Sequence, residues 1–469
     1  MIHTIQIRYS SNVNNINQLL SRYLTYRHED ISQTLYRKIS EFNRRIRQPD
    51  DCSRLYLPTN IYGLRHLSFY HNAAKTYNTV FISINVDLQS LIMQRITNEL
   101  FAPSYESTKA LCLAFASAIT DIFPFLEIDF EECSEIFKDL PYLMCWKLTR
   151  IDYALNLKSD NKDVALQLIK RSYTDAYKKP KKFENGNYNL YAKSNAKSGS
   201  SVTKVYDKRR YYERFINISN QTIPNADAIL EEANDILRYE YQRNNPKYEW
   251  VRSHYPSIPA LFFSSDCWRS PITFLDADAC RRILLSEYAK HIGLGDWKND
   301  YYHTLTINQS SLKASQKNKM LKEFSPLISQ SRSLKSAKEN YTEKNYTVRG
   351  KRIHGTAATF KKYIDLYASI NLHPLRIPDR IAKSYHTNTV ANPINNIIKT
   401  KLHFYYYYYN INYRINNTLS KDISTLFDDV WISLGRPLPD NTGITEFFNV
   451  IEKALSNSHK NTQNNSNTN

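Results

Sequence analysis

Glycine is scarce in this chain, with 9 among 469 residues, about 2% against a usual ~7%. That excludes collagen-like repeats and glycine-rich linkers. Cysteine is sparse as well. The six, Cys52, Cys112, Cys133, Cys145, Cys267 and Cys280, form no CxxC pair. Neither a disulfide scaffold nor a zinc site is expected, and the thiols should be reduced. No apolar run reaches the ~18 residues of a membrane-spanning helix. The opening MIHTIQIRYSSNVNN turns polar too early for a secretory signal. A cytoplasmic location is therefore expected, with no membrane partner. There is no Gly-rich phosphate loop, which argues against a built-in ATP-driven motor. None of the twelve histidines belongs to an HxH pair. Negative charge is in deficit: 45 Asp+Glu face 63 Lys+Arg, a formal net charge of +18.

What is present is a globular composition. Hydrophobic residues make up 42%, close to the average for folded proteins. The surplus of cations suits a polyanion, and nucleic acid is the commonest one. The 36 tyrosines point the same way. Many stand beside Lys or Arg, as in RYLTYR, DKRRYYER, LRYEYQR and KKYIDLY. Bases stack on aromatic faces while cations hold phosphates. The plainer reading is that tyrosine serves as a strand former with a polar tip.

Patterning predicts an α+β fold: an antiparallel-rich central sheet with helices on one face, plus a smaller helical C-terminal unit. Strands are expected at Met1–Tyr9, Arg54–Leu57, Leu64–Tyr70, Thr79–Leu88, Trp146–Leu157, Tyr188–Ala192, Ser201–Tyr212 and Ile236–Gln242, from period-two alternation. Helices are expected at Thr108–Ile122, Glu131–Leu140 and Asn161–Tyr177. Between Lys313 and Arg352 eleven Lys/Arg accompany three Glu, which reads as a basic linker or arm, in part helical, or alternatively as a solvated helical face with no partner. Helical stripes follow at Thr356–Ile370, Asp422–Leu434 and Ile444–Leu455. The run Tyr405–Tyr409 is read as the edge of a strand or helix. The expected division is 1–306 as one domain, 307–352 as a basic arm, 353–455 as a helical unit and 456–469 as a disordered, low-complexity tail.

Three strands carry polar residues on one face. Arg150 and Asp152 alternate with the apolar Ile151 and Tyr153. Lys204, Tyr206 and Lys208 share a face, as i, i+2 and i+4 do on a strand. Arg238 and Glu240 alternate with Leu237, Tyr239 and Tyr241. Two carboxylates can hold a hard divalent cation such as Mg²⁺ or Mn²⁺, which polarises a phosphodiester. A tyrosine hydroxyl, with reference pKa ~10, becomes a nucleophile once a nearby cation lowers that value; Lys204 and Lys208 flank Tyr206 for this. Ordinary ion pairs of Asp152 and Glu240 with Arg150 and Arg238 are the plainer alternative.

The ordered segments MIHTIQIR, KLTRIDYALNLKSDNKDVALQLI, SVTKVYDKRRYYERF, ILRYEYQR and TAATFKKYIDLYASINLHP resemble the gene II-type (II/X family) replication initiators of filamentous phages and related plasmids. The likeness spans roughly residues 1–380. It implies a rolling-circle initiator that nicks one strand at an origin, stays attached through a tyrosine and later rejoins the displaced strand. Carried over, the nucleophile falls on Tyr206 with Lys208 beside it, and the metal-binding acids on Asp152 and Glu240. Arg150, Lys204, Arg209 and Arg238 would contact DNA, and Tyr212 is a candidate second nucleophile. Origin DNA, as supercoiled duplex and displaced single strand, would be the substrate. Helicase, polymerase and single-strand-binding protein would come from a bacterial host, in whose cytoplasm the protein would act. Many rolling-circle nucleases use an HxH pair for the metal, which this chain lacks. The alternatives are a non-catalytic single-stranded nucleic-acid-binding protein and, more weakly, a tyrosine recombinase, which needs its tyrosine on a helix.

Overall fold

The computed structural model describes residues 1–48, 52–72, 78–123, 143, 146–159, 161–172, 178–182, 188–192, 200–218, 225–256, 258, 267–343, 346–348, 351–353 and 355–392. The architecture is α+β, built on one antiparallel sheet. Its strands are β1 (Ile2–Asn12), β2 (Cys52–Leu57), β3 (Leu64–Asn72), β4 (Thr79–Asp87), β5 (Lys147–Lys158), β6 (Lys178–Lys182), β7 (Tyr188–Ala192), β8 (Ser200–Asp207) and β9 (Ile236–Asn244). They lie in the order β2-β3-β4-β1-β5-β9-β8-β7-β6.

Alternation divides the sheet into two faces. In β4, Val80, Ile82, Ile84 and Val86 are buried while Phe81, Ser83 and Asn85 are half-buried. In β5, Ile151, Tyr153, Leu155 and Leu157 take the apolar side. Each fully buried aliphatic side chain contributes roughly 1.5–3 kcal/mol, so a one-residue slip of register would expose the whole apolar set. The helices Val13–Tyr26, Gln33–Arg45 and Ala277–His291 pack against this side, on β1 and β4, on β2, and on β5 and β9 respectively. The opposite face is polar. Register aligns Asp87 and Asp152 on either side of Thr4, then Gln242 beside Asp152. Lys204 pairs with Glu240 and Tyr206 with Arg238. At the β8 end this face is closed by the helices Lys208–Ile218 and Ala226–Glu232, which share a small core of Tyr212, Ile229 and Ala233.

Three expectations need correction. The strand expected to run to Tyr212 ends at Asp207, whose carboxylate accepts from the backbone N–H groups of Arg209 and Arg210 at 2.9 and 3.3 Å and starts a helix. Lys208, Tyr211 and Tyr212 are therefore helical. The stretch read as a basic arm is folded: Ala314–Lys319, Ser325–Gln330 and Leu334–Thr342 are helices. Met320, Phe324, Leu327, Ile328, Leu334 and Tyr341 join the same core as the sheet. The boundary drawn after residue 306 falls inside the helix Asp300–Gln309. The helix expected at Thr356–Ile370 is found as Ala357–Ser369. The readings at 131–140, 405–409, 422–434, 444–455 and 456–469 lie outside the described residues. Among the described residues Cys52, Cys112 and Cys280 are unpaired, and no helix is long and apolar enough to cross a membrane.

Candidate active site

The polar face converges on Glu240, a buried carboxylate in the middle of β9. Tyr206 Oη donates to Glu240 Oε1 at 2.6 Å. His3 Nδ1 reaches the same oxygen at 2.8 Å, and its Nε2 lies 3.6 Å from Asp87 Oδ2. Lys204 Nζ stands 3.7 Å from Glu240 Oε2. The row Tyr206, Glu240, His3, Asp87 thus crosses from β8 to β4. Burial pushes the Glu240 carboxyl up, but His3, Lys204 and Arg238 outweigh it and hold the group well below the usual carboxylate range. Glu240 is ionised. Burial and then the Glu240 charge push the Tyr206 hydroxyl well above the usual tyrosine range, so it keeps its proton. Burial lowers His3 against the pull of Glu240, and Nδ1, 2.8 Å from the carboxylate oxygen, donates to it.

Local backbone explains how these groups meet. His3 sits where the β1–β5 register shifts, between Ile2 and Thr4. Such an irregularity re-aims a side chain, and it brings His3 to the carboxylate. Asp87 ends β4, where its N–H donates to the Gly63 carbonyl at 2.7 Å. Gly63 has φ +83°, and a Cβ there would lie 2.4 Å from the Leu91 backbone nitrogen. Only glycine suits that turn.

Asp152 lies on the same face as Glu240, diagonally across β5 and β9. Its Oδ2 accepts from Thr4 Oγ1 at 2.6 Å, while Arg150 Nε is 3.3 Å from Oδ1. Arg150 also reaches Thr4 Oγ1 at 3.4 Å. A hard divalent cation suits a carboxylate of this kind, and Asp152 Oδ1 accepts no hydrogen bond. Glu240 does not fit the second ligand position expected of it, because its oxygens already face Tyr206, His3 and Lys204. Among the described residues no three His, Cys, Asp or Glu side chains converge to hold a metal ion.

The remaining expected residues divide. Lys204 belongs to the cluster. Lys208 is buried, but its Nζ lies over the rings of Tyr211 and Tyr212, 4.8 and 4.4 Å from their centroids. Burial and the nearby Arg238 pull its pKa well below the usual lysine range, which weakens it as a cation for Tyr206. Arg238 is fully buried. Its guanidinium donates to Asn156 Oδ1 at 2.9 Å and to the Asn98 carbonyl at 2.7 Å. It braces the 94–101 segment and is not a surface contact for DNA. Arg209 donates to Glu213 and Asn234 on the helix surface. Tyr212 donates to the Thr97 carbonyl at 2.8 Å, and burial raises its pKa. It is a packing residue. Sequence reasoning missed His3 and Asp87. Asp87 followed Ser83 and Asn85 on the polar side and could have been found, whereas parity places His3 with Ile5 and Ile7.

No family model matches this chain, and neither a curated protein nor a solved structure does.

Proposed function

We propose that this protein cleaves and rejoins one strand of DNA through Tyr206, as an initiator of rolling-circle replication. The observation that carries the reading is the 2.6 Å hydrogen bond from the Tyr206 hydroxyl to an ionised, buried Glu240 on a sheet face that also presents Lys204 and Arg150. The phenolic oxygen attacks phosphorus, its proton passes to Glu240 Oε1, and the P–O3′ bond breaks. A 5′-phosphotyrosyl link and a 3′-oxyanion result; solvent water protonates the latter to the 3′-OH, and Glu240 returns its proton to solvent. Because one ester replaces another, the step reverses when a 3′-OH returns. The raised Tyr206 pKa means that proton transfer accompanies attack and does not precede it. Lys204 and Arg150 offset the phosphate charge. A bound Mg²⁺ or Mn²⁺ would have Asp152 as its carboxylate ligand and would add charge neutralisation at the phosphate.

A second reading has its own observation. At the far edge of the same face Arg54 lies over Tyr70 and Tyr56, at 5.2 and 5.9 Å, and Tyr56 is 55% exposed. Such Arg–aromatic pairs suit single-stranded nucleic acid without any cleavage. Incubation of supercoiled DNA of the protein's own replicon with Mg²⁺ or Mn²⁺ separates the two. The initiator reading expects relaxed circles with the wild type and none with Tyr206→Phe. Tight single-strand binding with no relaxation by the wild type would favour the binding protein.

A further inference from the structure

The polar face of the sheet does not end at the cluster around Glu240. Register carries it on across β1, β4, β3 and β2, and there the side chains change character. Phe81 pairs with Ser10 on one side and Tyr70 on the other, and Tyr70 pairs with Arg54. The next row runs Arg8, Ser83, Ser68, Tyr56. Parity puts both rows on the side of Asp152. Phe81, Ser83 and Asp87 alternate on β4, and Asp87 and Asp152 both flank Thr4. Arg8 lies over the Phe81 ring at 4.5 Å, and Arg54 over Tyr70 and Tyr56 at 5.2 and 5.9 Å. Arg54 Nη1 also donates to Tyr56 Oη at 3.0 Å. Arg8, Arg54 and Tyr56 are exposed, while Tyr70 and Phe81 are half-buried. Asp87 is the only acid on these four strands. The patch therefore lays two cations on three rings with no carboxylate among them.

We infer that this patch is the platform on which the protein holds the single strand it cleaves, with bases stacked on Phe81, Tyr70, Tyr56 and the arginines laid over them. The inference rests on the nucleic-acid reading above and makes the Arg54 pairs a subsite of the nicking protein. Two features choose the occupant. Rings and guanidinium planes are stacking surfaces for bases. A duplex keeps its base faces against one another, so only an unpaired strand can use them. The want of acid suits the phosphates between those bases. Burial and then the like charge of Arg269 lower the Arg8 pKa, and a phosphate beside Arg8 would oppose both. The platform is also placed to feed the site. From Phe81 the same face leads through Ser83, Asn85 and Gln6 to Asp152 and Glu240. The distance is roughly 25–30 Å by strand rise and spacing, or about eight nucleotides at the 3.4 Å rise of a stacked strand.

The test is fluorescence anisotropy at graded salt with a labelled single strand of the protein's own replicon, long enough to span that distance, and with the matching duplex. Tyr206→Phe serves as the background so that no cleavage intervenes. Tyr70→Leu with Phe81→Leu keeps apolar side chains on the sheet but removes two stacking rings. It should weaken single-strand binding about fivefold or more per ring, while duplex binding changes less than twofold. The slope of log K against log salt should hold, because no charge is removed. Arg8→Ala should instead lower that slope by about 1. Tyr56→Ala, at a side chain 55% exposed, should weaken single-strand binding by a similar factor and carries the test if the double variant does not fold. Unchanged single-strand affinity in a folded variant would overturn the platform while leaving the Tyr206 reading intact. Equal losses for both DNAs would overturn the choice of a single strand. Failure of the parent protein to bind either DNA at any salt would overturn the nucleic-acid reading itself.

Discussion

Glu240 holds three donors in a buried position, and its chemistry follows from that balance. Without His3 the carboxyl would lose one of its two close donors and burial would weigh more, so its pKa would move up. In the wild type the acid limb of strand cleavage, set by Glu240, should fall below pH ~4.3, the usual glutamate value. His3→Ala should move that limb upward, which a purely structural role for His3 would not do. An acid limb in the wild type near pH 6.5 would show that a histidine, and not Glu240, titrates in the reaction. Glu240→Gln keeps the shape but removes the proton acceptor, and should lower the cleavage rate about a hundredfold or more, with DNA affinity little changed. Tyr206, Asp152 and Lys204 were legible as residues of one polar face because alternation on a strand is regular. His3 was not, because an irregularity in β1 carries it across the parity that the flanking isoleucines announce.

At the scale of elements, the junction between β8 and the following helix decides where Tyr206 ends up. The sequence KVYDKRRYY continues its alternation of charge and ring past Tyr206, and so reads as one long strand. What stops it is Asp207. The residue is buried, accepts from two backbone N–H groups and pairs with Lys162 at 2.8 Å. Asp at such a position is an N-cap residue, and it starts the helix that follows. Asp207→Ala should cost about 1–3 kcal/mol in chemical denaturation, from the lost cap and the unpaired Lys162. A change within experimental error would mean that the helix start is held by its packing alone. The 313–352 segment misled for a different reason. Its eleven cations hide an apolar stripe, Met320, Phe324, Leu327 and Ile328, at helical spacing. Charge counts describe the solvent side of a helix and say nothing of the side that packs.

Across the whole molecule, one core joins residues from Met1 to Val390, so the helices after 306 are structurally part of the sheet's own unit. Buried histidines tie them in. His373 Nδ1 accepts from the Leu375 N–H at 3.1 Å, and its Nε2 donates to the Ile292 carbonyl at 3.0 Å, which fixes a neutral ring. Burial lowers His373 and His254 to about 4 and His303 to about 3. Below pH ~6.5 the unfolded chain binds protons that these folded sites refuse, so each site's stabilisation is full above that value and lost as pH falls towards 4. Unfolding free energy should therefore decline by up to about 1.4 kcal/mol per pH unit for each histidine. A flat profile from pH 6.5 to 4.5 in urea titrations would contradict this burial.

The chain's scarcity of glycine and its positive charge are properties of the whole molecule, and neither names a reaction. The claim that does so is that Tyr206 forms the bond to DNA. The most direct measurement takes a 5′-phosphotyrosyl adduct trapped on a labelled origin strand, digests protein and DNA, and reads the modified peptide by mass spectrometry. The account predicts a nucleotide on Tyr206 in the peptide that contains β8. A nucleotide on Tyr211 or Tyr212, or a cleaved strand with no tyrosine adduct at all, would contradict it.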